Sequence, residues 1–151
     1  MAITIVPDIH GTHTYKTLFE QTIKTLKPDI VVMEMLPEGP FKNNERSKRI
    51  AKRFGEYYFD IAMTLNNEKY TVVGLEMPKH RPAPDNEPWT NLRARLKNIE
   101  KDWAQTVDKV IDDIGTANII AWVGKLHVDK FKRALDNELP SIKLETYDPL
   151  S

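Results

Sequence analysis

Four short stretches carry the residues of this chain best suited to chemistry. They are "VPDIHGTH" with Asp8, His10 and His13, "VVMEM" with Glu34, "VGLEM" with Glu76, and "VGKLHV" with His127. Two imidazoles with two or three carboxylates support two hydrolytic schemes. They can hold a divalent metal through nitrogen and oxygen ligands, lowering the pKa of a bound water towards about 7 at zinc-type sites. Alternatively, a carboxylate can orient a histidine that acts on water as general base, without metal. Residue types alone leave both open. Each residue also has a plainer reading: a Glu at a strand end is usually solvated or capping. "DIHG" is also ordinary turn chemistry, with Asp bonding the backbone two residues on. The case for a site rests on coincidence, because all four stretches close apolar runs. No Ser stands in a G-x-S-x-G context and no glycine-rich phosphate loop follows the first run. Serine-esterase and nucleotide-fold readings are therefore weak.

The elements that must position these residues are five short apolar or β-branched runs: 3–6, 29–34, 70–76, 118–123 and 142–147. The first four are near-continuous in hydrophobicity, as strands covered on both faces should be; the last alternates and reads as an edge strand. Helical spacing separates them. Tyr15, Leu18, Phe19, Ile23 and Leu26 form one apolar face. Ile50, Phe54, Tyr57, Tyr58, Ile61 and Leu65 form another over 44–66. Trp89, Leu92, Leu96, Ile99, Trp103, Val107, Val110 and Ile114 predict a long third helix, and Val128, Phe131 and Leu135 a fourth. Strands alternating with helices imply an α/β fold with a mostly parallel central sheet of about five strands. In such sheets functional groups collect beyond the carboxyl ends of the strands. Asp8, His10, Glu34, Glu76 and His127 all fall on that predicted rim.

Composition bounds the rest. The 151 residues predict one domain, 1–151. Basic and acidic residues balance at 22 each, so no global field points to nucleic acid or a membrane surface. Zero cysteines exclude disulfides, thiolate nucleophiles and Cys-ligated zinc. With no signal-like start and no apolar run near the roughly 20 residues that span a bilayer, the expectation is a cytoplasmic protein.

The opening Asp-x-His-Gly is how calcineurin-like metallophosphatases begin, but their Gly-Asp and Asn-His motifs are missing. A phosphoester hydrolase is kept only as a second alternative. In order and spacing the whole chain resembles the Tiki/TraB, ChaN-like and erythromycin-esterase-like superfamily, through "VPDIHGTHTY", "LKPDIVVMEM" and "WVGKLHV". The resemblance implies a ChaN-like/erythromycin-esterase-like fold with His10, Glu34 and His127 as catalytic residues or metal ligands, and Glu76 stands where relatives often keep a polar or acidic residue; Asp8 and Glu76 on the rim, and Arg81 in the loop after it, are the expected substrate contacts. It implies a hydrolase of an ester, lactone or amide bond in a small molecule or peptide. Manganese, cobalt or zinc would be the metal, and haem a further alternative. A non-catalytic binder of a small molecule, metal or haem is the other class it allows. Pro7 and Asp8 depart from the family's Gly and Glu, and the place of its helix Arg stays open among Lys101, Arg93 and Arg95 nearby.

Other residues read more plainly. Arg46, Arg49 and Arg53 share a helix face that would meet an anionic substrate, though a solvated flank explains them as well. His13, one turn past His10, reads as a cap or a solvent-facing residue of the first helical turn rather than an extension of the site. Four prolines between 77 and 88 predict a rim loop or flap, with His80 exposed in it; if it folds over the rim, His80 and Arg81 touch substrate. Trp103 and Trp122 read as core. Tyr57 and Tyr58 read as core edge, and a hydroxyl there near the rim would serve as an oxyanion donor. A crowded apolar edge would support a homo-oligomer.

Overall fold

The computed structural model describes residues 2–9, 13–80, 97–115 and 117–148. Among them, strands β1 (Ala2–Asp8), β2 (Ile30–Pro37), β3 (Gly39–Pro40), β4 (Thr71–Glu76), β5 (Ile119–Gly124) and β6 (Lys143–Thr146) form one sheet. Its order is β3-β4-β2-β5-β1-β6. All pairings are parallel except that of the two-residue β3, which runs antiparallel on β4. The alternating run is an edge strand, as its pattern predicts. The strand beyond the five expected is β3, whose two residues are too few to leave a periodic signal.

The apolar strands are apolar because both faces are covered. Ile30 and Val32 enter one core with Ile3, Ile5, Val73 and Val123; Val31 and Met33 enter the other with Val6, Val72 and Trp122. Helices α1 (His13–Leu26), α2 (Glu45–Lys52) and α3 (Tyr57–Asn67) carry the crossings from β1 to β2 and on to β4. Phe19, Ile23, Tyr58 and Ile61 seal the second core from this layer. Helices α4 (Ile99–Ile114) and α5 (Val128–Glu138) lie on the return crossings to β5 and β6, and Trp103, Val107, Phe131 and Leu135 seal the first. Outward crossings over one face and return crossings over the other follow from a single crossover hand.

Two local features shape the rim. The periodic run over 44–66 is two helices, because the chain turns through Arg53 and Phe54 at Gly55, a poor helix former. Asn44 caps α2 by accepting the Ser47 N–H at 2.9 Å. The end of β2 is bulged. Met33 pairs with Gly74 and Pro37 with Glu76, so β2 spends two more residues than its partner. Hence the neighbours Met35 and Leu36 are both fully buried in the same core. The bulge needs Gly74, where a Cβ would run into the Pro37 carbonyl oxygen and lie 2.5 Å from that of Leu36. Among the described residues no helix is long and apolar enough to cross a membrane.

Candidate functional site

The parallel register puts the strand ends on one edge: Asp8 pairs with Gly124, and Glu76 with Pro37 just beyond Glu34. On this rim a cavity of about 440 Å³ is lined by Glu34, Glu76, Glu100, His80, His127 and Trp103, with Phe54, Ile99, Arg53 and Lys130 completing it. The site therefore gathers residues from β2, β4, the start of α4 and the turn after β5.

His127 ends a short 3-10 turn, Lys125–His127, that leads from β5 into α5. Its Nδ1 lies 2.9 Å from Glu100 Oε1. A carboxylate accepts only, so the proton sits on Nδ1 and the Nε2 lone pair is left for other work. Nε2 is 3.9 Å from Glu34 Oε2, too far for a hydrogen bond. Trp103 meets the imidazole edge-on with ring centroids 4.9 Å apart, and packs edge-on against Phe131 in turn. The ring is thus fixed by a hydrogen bond and an aromatic wall, while its side chain keeps 31% exposure towards solvent.

Glu34 is buried, and its Oε1 accepts the Gly124 N–H at 2.7 Å. That charge-assisted bond compensates part of the cost of burying an ionised carboxylate. It also ties the end of β2 to the end of β5. An oxygen about 2.8 Å from each partner would fit between Glu34 Oε2 and His127 Nε2. A water held there would give one proton to the imidazole and the other to the carboxylate.

His80 is buried, not exposed, and the reason is chemical. It closes the 3-10 turn Pro78–His80 after β4. Its Nδ1 accepts the Met77 N–H at 3.4 Å, and its Nε2 lies 3.0 Å from Asp102 Oδ2. Both nitrogens are engaged, so His80 fastens the start of the proline-rich loop onto α4 and offers no lone pair to the cavity. Glu100 and Asp102 thus hold two histidines from the first turn of one helix. Neither acid was singled out from the sequence. The available signal was Glu100 on the stripe of Trp103 and Val107, three and seven residues on, where an apolar side chain is expected.

The structure brings Glu34, Glu76 and His127 together. It sets Asp8 apart: the carboxylate is 1% exposed and accepts a hydrogen bond from the Tyr58 hydroxyl, which accepts one from Tyr57 at 3.3 Å. That chain belongs to the layer of α1–α3, on the other face of the sheet. Burial, reinforced by Asp8 and Tyr57, pushes the Tyr58 phenol far above its usual range. Tyr58 is a fixed donor to Asp8 and lines no part of the His127 cavity. Arg53 does line it, because the chain turns after α2. His10 and Arg81 lie outside the described residues.

For a divalent metal, Glu34 Oε2 and His127 Nε2 are two suitable donors, whereas a catalytic zinc keeps three protein ligands. Among the described residues no group of three or more His, Cys, Asp or Glu side chains is placed to hold an ion. These residues by themselves do not make the site. No protein-family model, curated protein or solved structure matches this chain.

Proposed function

We propose that this protein is a hydrolase of an ester, lactone or amide bond in a small molecule or peptide, with His127 as general base. The observation that carries the reading is the His127 imidazole, held at Nδ1 by Glu100 and facing Glu34 across 3.9 Å at Nε2 in a rim cavity. Water between the two groups is stripped of one proton by His127 as its oxygen attacks the carbonyl carbon. Glu34 accepts the other O–H and aligns the lone pair. The imidazolium formed lies between two carboxylates and returns its proton to the leaving alkoxide or amine. The resemblance to the Tiki/TraB, ChaN-like and erythromycin-esterase-like superfamily agrees in assigning Glu34 and His127. In the metal-dependent version of this reading, His10 is the third ligand the sequence nominates; no step above depends on it.

Turnover of a panel of p-nitrophenyl esters, aryl lactones and anilides tests the proposal. His127→Ala and Glu34→Gln are expected to lower kcat by about 10²–10⁴. Glu100 acts through His127, so Glu100→Gln, which keeps an acceptor, retains more kcat than Glu100→Ala and shifts the acid limb of the pH profile, the limb a general base sets. Absence of turnover across the panel, or full activity in His127→Ala, overturns the reading. Loss of activity with chelator, restored by zinc, manganese or cobalt and absent in His10→Ala, assigns the metal-dependent version.

A further inference from the structure

The charges of the cavity are segregated. Its carboxylates, Glu34, Glu76 and Glu100, are each 6–7% exposed, whereas Arg53 and Lys130 are exposed at its edge. Among the described residues neither cation forms an ion pair, although three acids line the same cavity. Those acids have partners of their own, Glu34 the Gly124 N–H and Glu100 the His127 imidazole among them. The cations come from different layers, Arg53 from the C-cap of α2 and Lys130 from the first turn of α5. Phe54 and Ile99 give the cavity an apolar lining as well.

A ligand meeting this arrangement is turned by it. An anionic group is repelled by the buried acids and attracted at the mouth, where guanidinium and ammonium remain free to bind a carboxylate or phosphate. An uncharged carbonyl can go deeper, to His127 and Glu34. We propose that Arg53 and Lys130 are the specificity determinants of this site, selecting esters or amides whose acyl chain ends in a carboxylate or phosphate-like group. This rests on the hydrolase reading above and adds its substrate class.

The test compares p-nitrophenyl butyrate with mono-p-nitrophenyl succinate and p-nitrophenyl phosphonopropionate, which differ mainly in the terminal group. Wild type is expected to favour an anionic ester over the neutral one in kcat/KM by roughly five- to tenfold, the size two partly exposed ion pairs allow. The preference should sit in KM and shrink as salt is raised. The anion that gains more identifies carboxylate or phosphate as the terminal group. In Arg53→Gln/Lys130→Gln the preference should collapse to near one, while Lys132→Gln, a cation away from this cavity, keeps it. Equal use of neutral and anionic esters by wild type, or equal loss of preference in Lys132→Gln, overturns the assignment and leaves the hydrolase reading standing. If nothing in the ester, lactone and anilide panel is cleaved, the hydrolase reading fails. The anion site is then judged by calorimetric titration with benzylsuccinate. Binding weakened at least fivefold in Arg53→Gln/Lys130→Gln supports it, and no binding to wild type overturns it.

Discussion

Replacing Gly74 by Ala probes the bulge from which β2 carries Glu34 to the rim. The added Cβ meets two successive backbone carbonyls, with Leu36 O at 2.5 Å and Pro37 O nearer still, well inside the 3.0 Å that real Cβ atoms respect. Backbone yields less readily than a side-chain tip, and here it is pinned because Met35 and Leu36 are fully buried. Overpacking of this kind costs about 1–3 kcal/mol, and a backbone obstacle argues for the upper end. Against that, Ala restricts the unfolded chain and returns about 0.4–1 kcal/mol. The net expectation is a loss of about 2 kcal/mol, equivalent to a fall in Tm of roughly 4–8 °C for a chain of this size. Urea denaturation followed by far-UV circular dichroism measures it as a lower midpoint at unchanged slope. An Ala variant as stable as wild type, or more stable by about 0.5 kcal/mol, would refute the close approach of β2 to β4 and with it the bulged path of Glu34.

Asp102→Ala leaves the buried His80 N–H without its acceptor and should cost about 1–3 kcal/mol in thermal or urea denaturation; loss below about 0.5 kcal/mol would show that the His80–Asp102 bond, 3.0 Å long, is not structural. Tyr58 keeps its proton when folded but ionises near pH 10 when unfolded. Stability present below pH 10 should therefore decline above it by about 1.4 kcal/mol per pH unit, and this part of the slope should vanish in Tyr58→Phe when urea midpoints are compared between pH 9 and pH 11.

Strand positions and the shared rim were legible because hydrophobic runs covered on both faces leave a strong pattern, as "IVVM" and "IIAWV" do. The residues ending those runs, Glu34, Glu76 and His127, followed directly from it. The helix break at Gly55 was masked by apolar spacing that continues in phase from Ile50 to Tyr57 and Ile61. Its consequence, Arg53 in the cavity, depends on where the chain turns and not on residue type. His80 was misread because prolines on either side make a loop look solvent-facing. What buries it is an acid 22 residues on, a long-range pairing that no local pattern encodes. Asp8 was misplaced for a related reason. It closes β1, while Glu34 lies in the bulged last half of β2, and residues near one rim still point to opposite faces as alternation decides.

That alternation explains why the side chains of the cavity gather at α4. Glu34 projects to the face that α4 and α5 cover, and the turn after β5 brings His127 to the same side. The first turn of the helix between β4 and β5 lies within side-chain reach of the turn after each strand. Glu100 takes the turn after β5 and Asp102 the turn after β4. Trp103 closes the wall between them by packing on His127 and Phe131. The two acids differ in consequence because their histidines differ in what the other ring nitrogen does. At His80 it is spent on the Met77 N–H, which makes a fastener. At His127 it faces Glu34 across 3.9 Å in the rim cavity, which leaves it the nitrogen on which the proposed base chemistry rests.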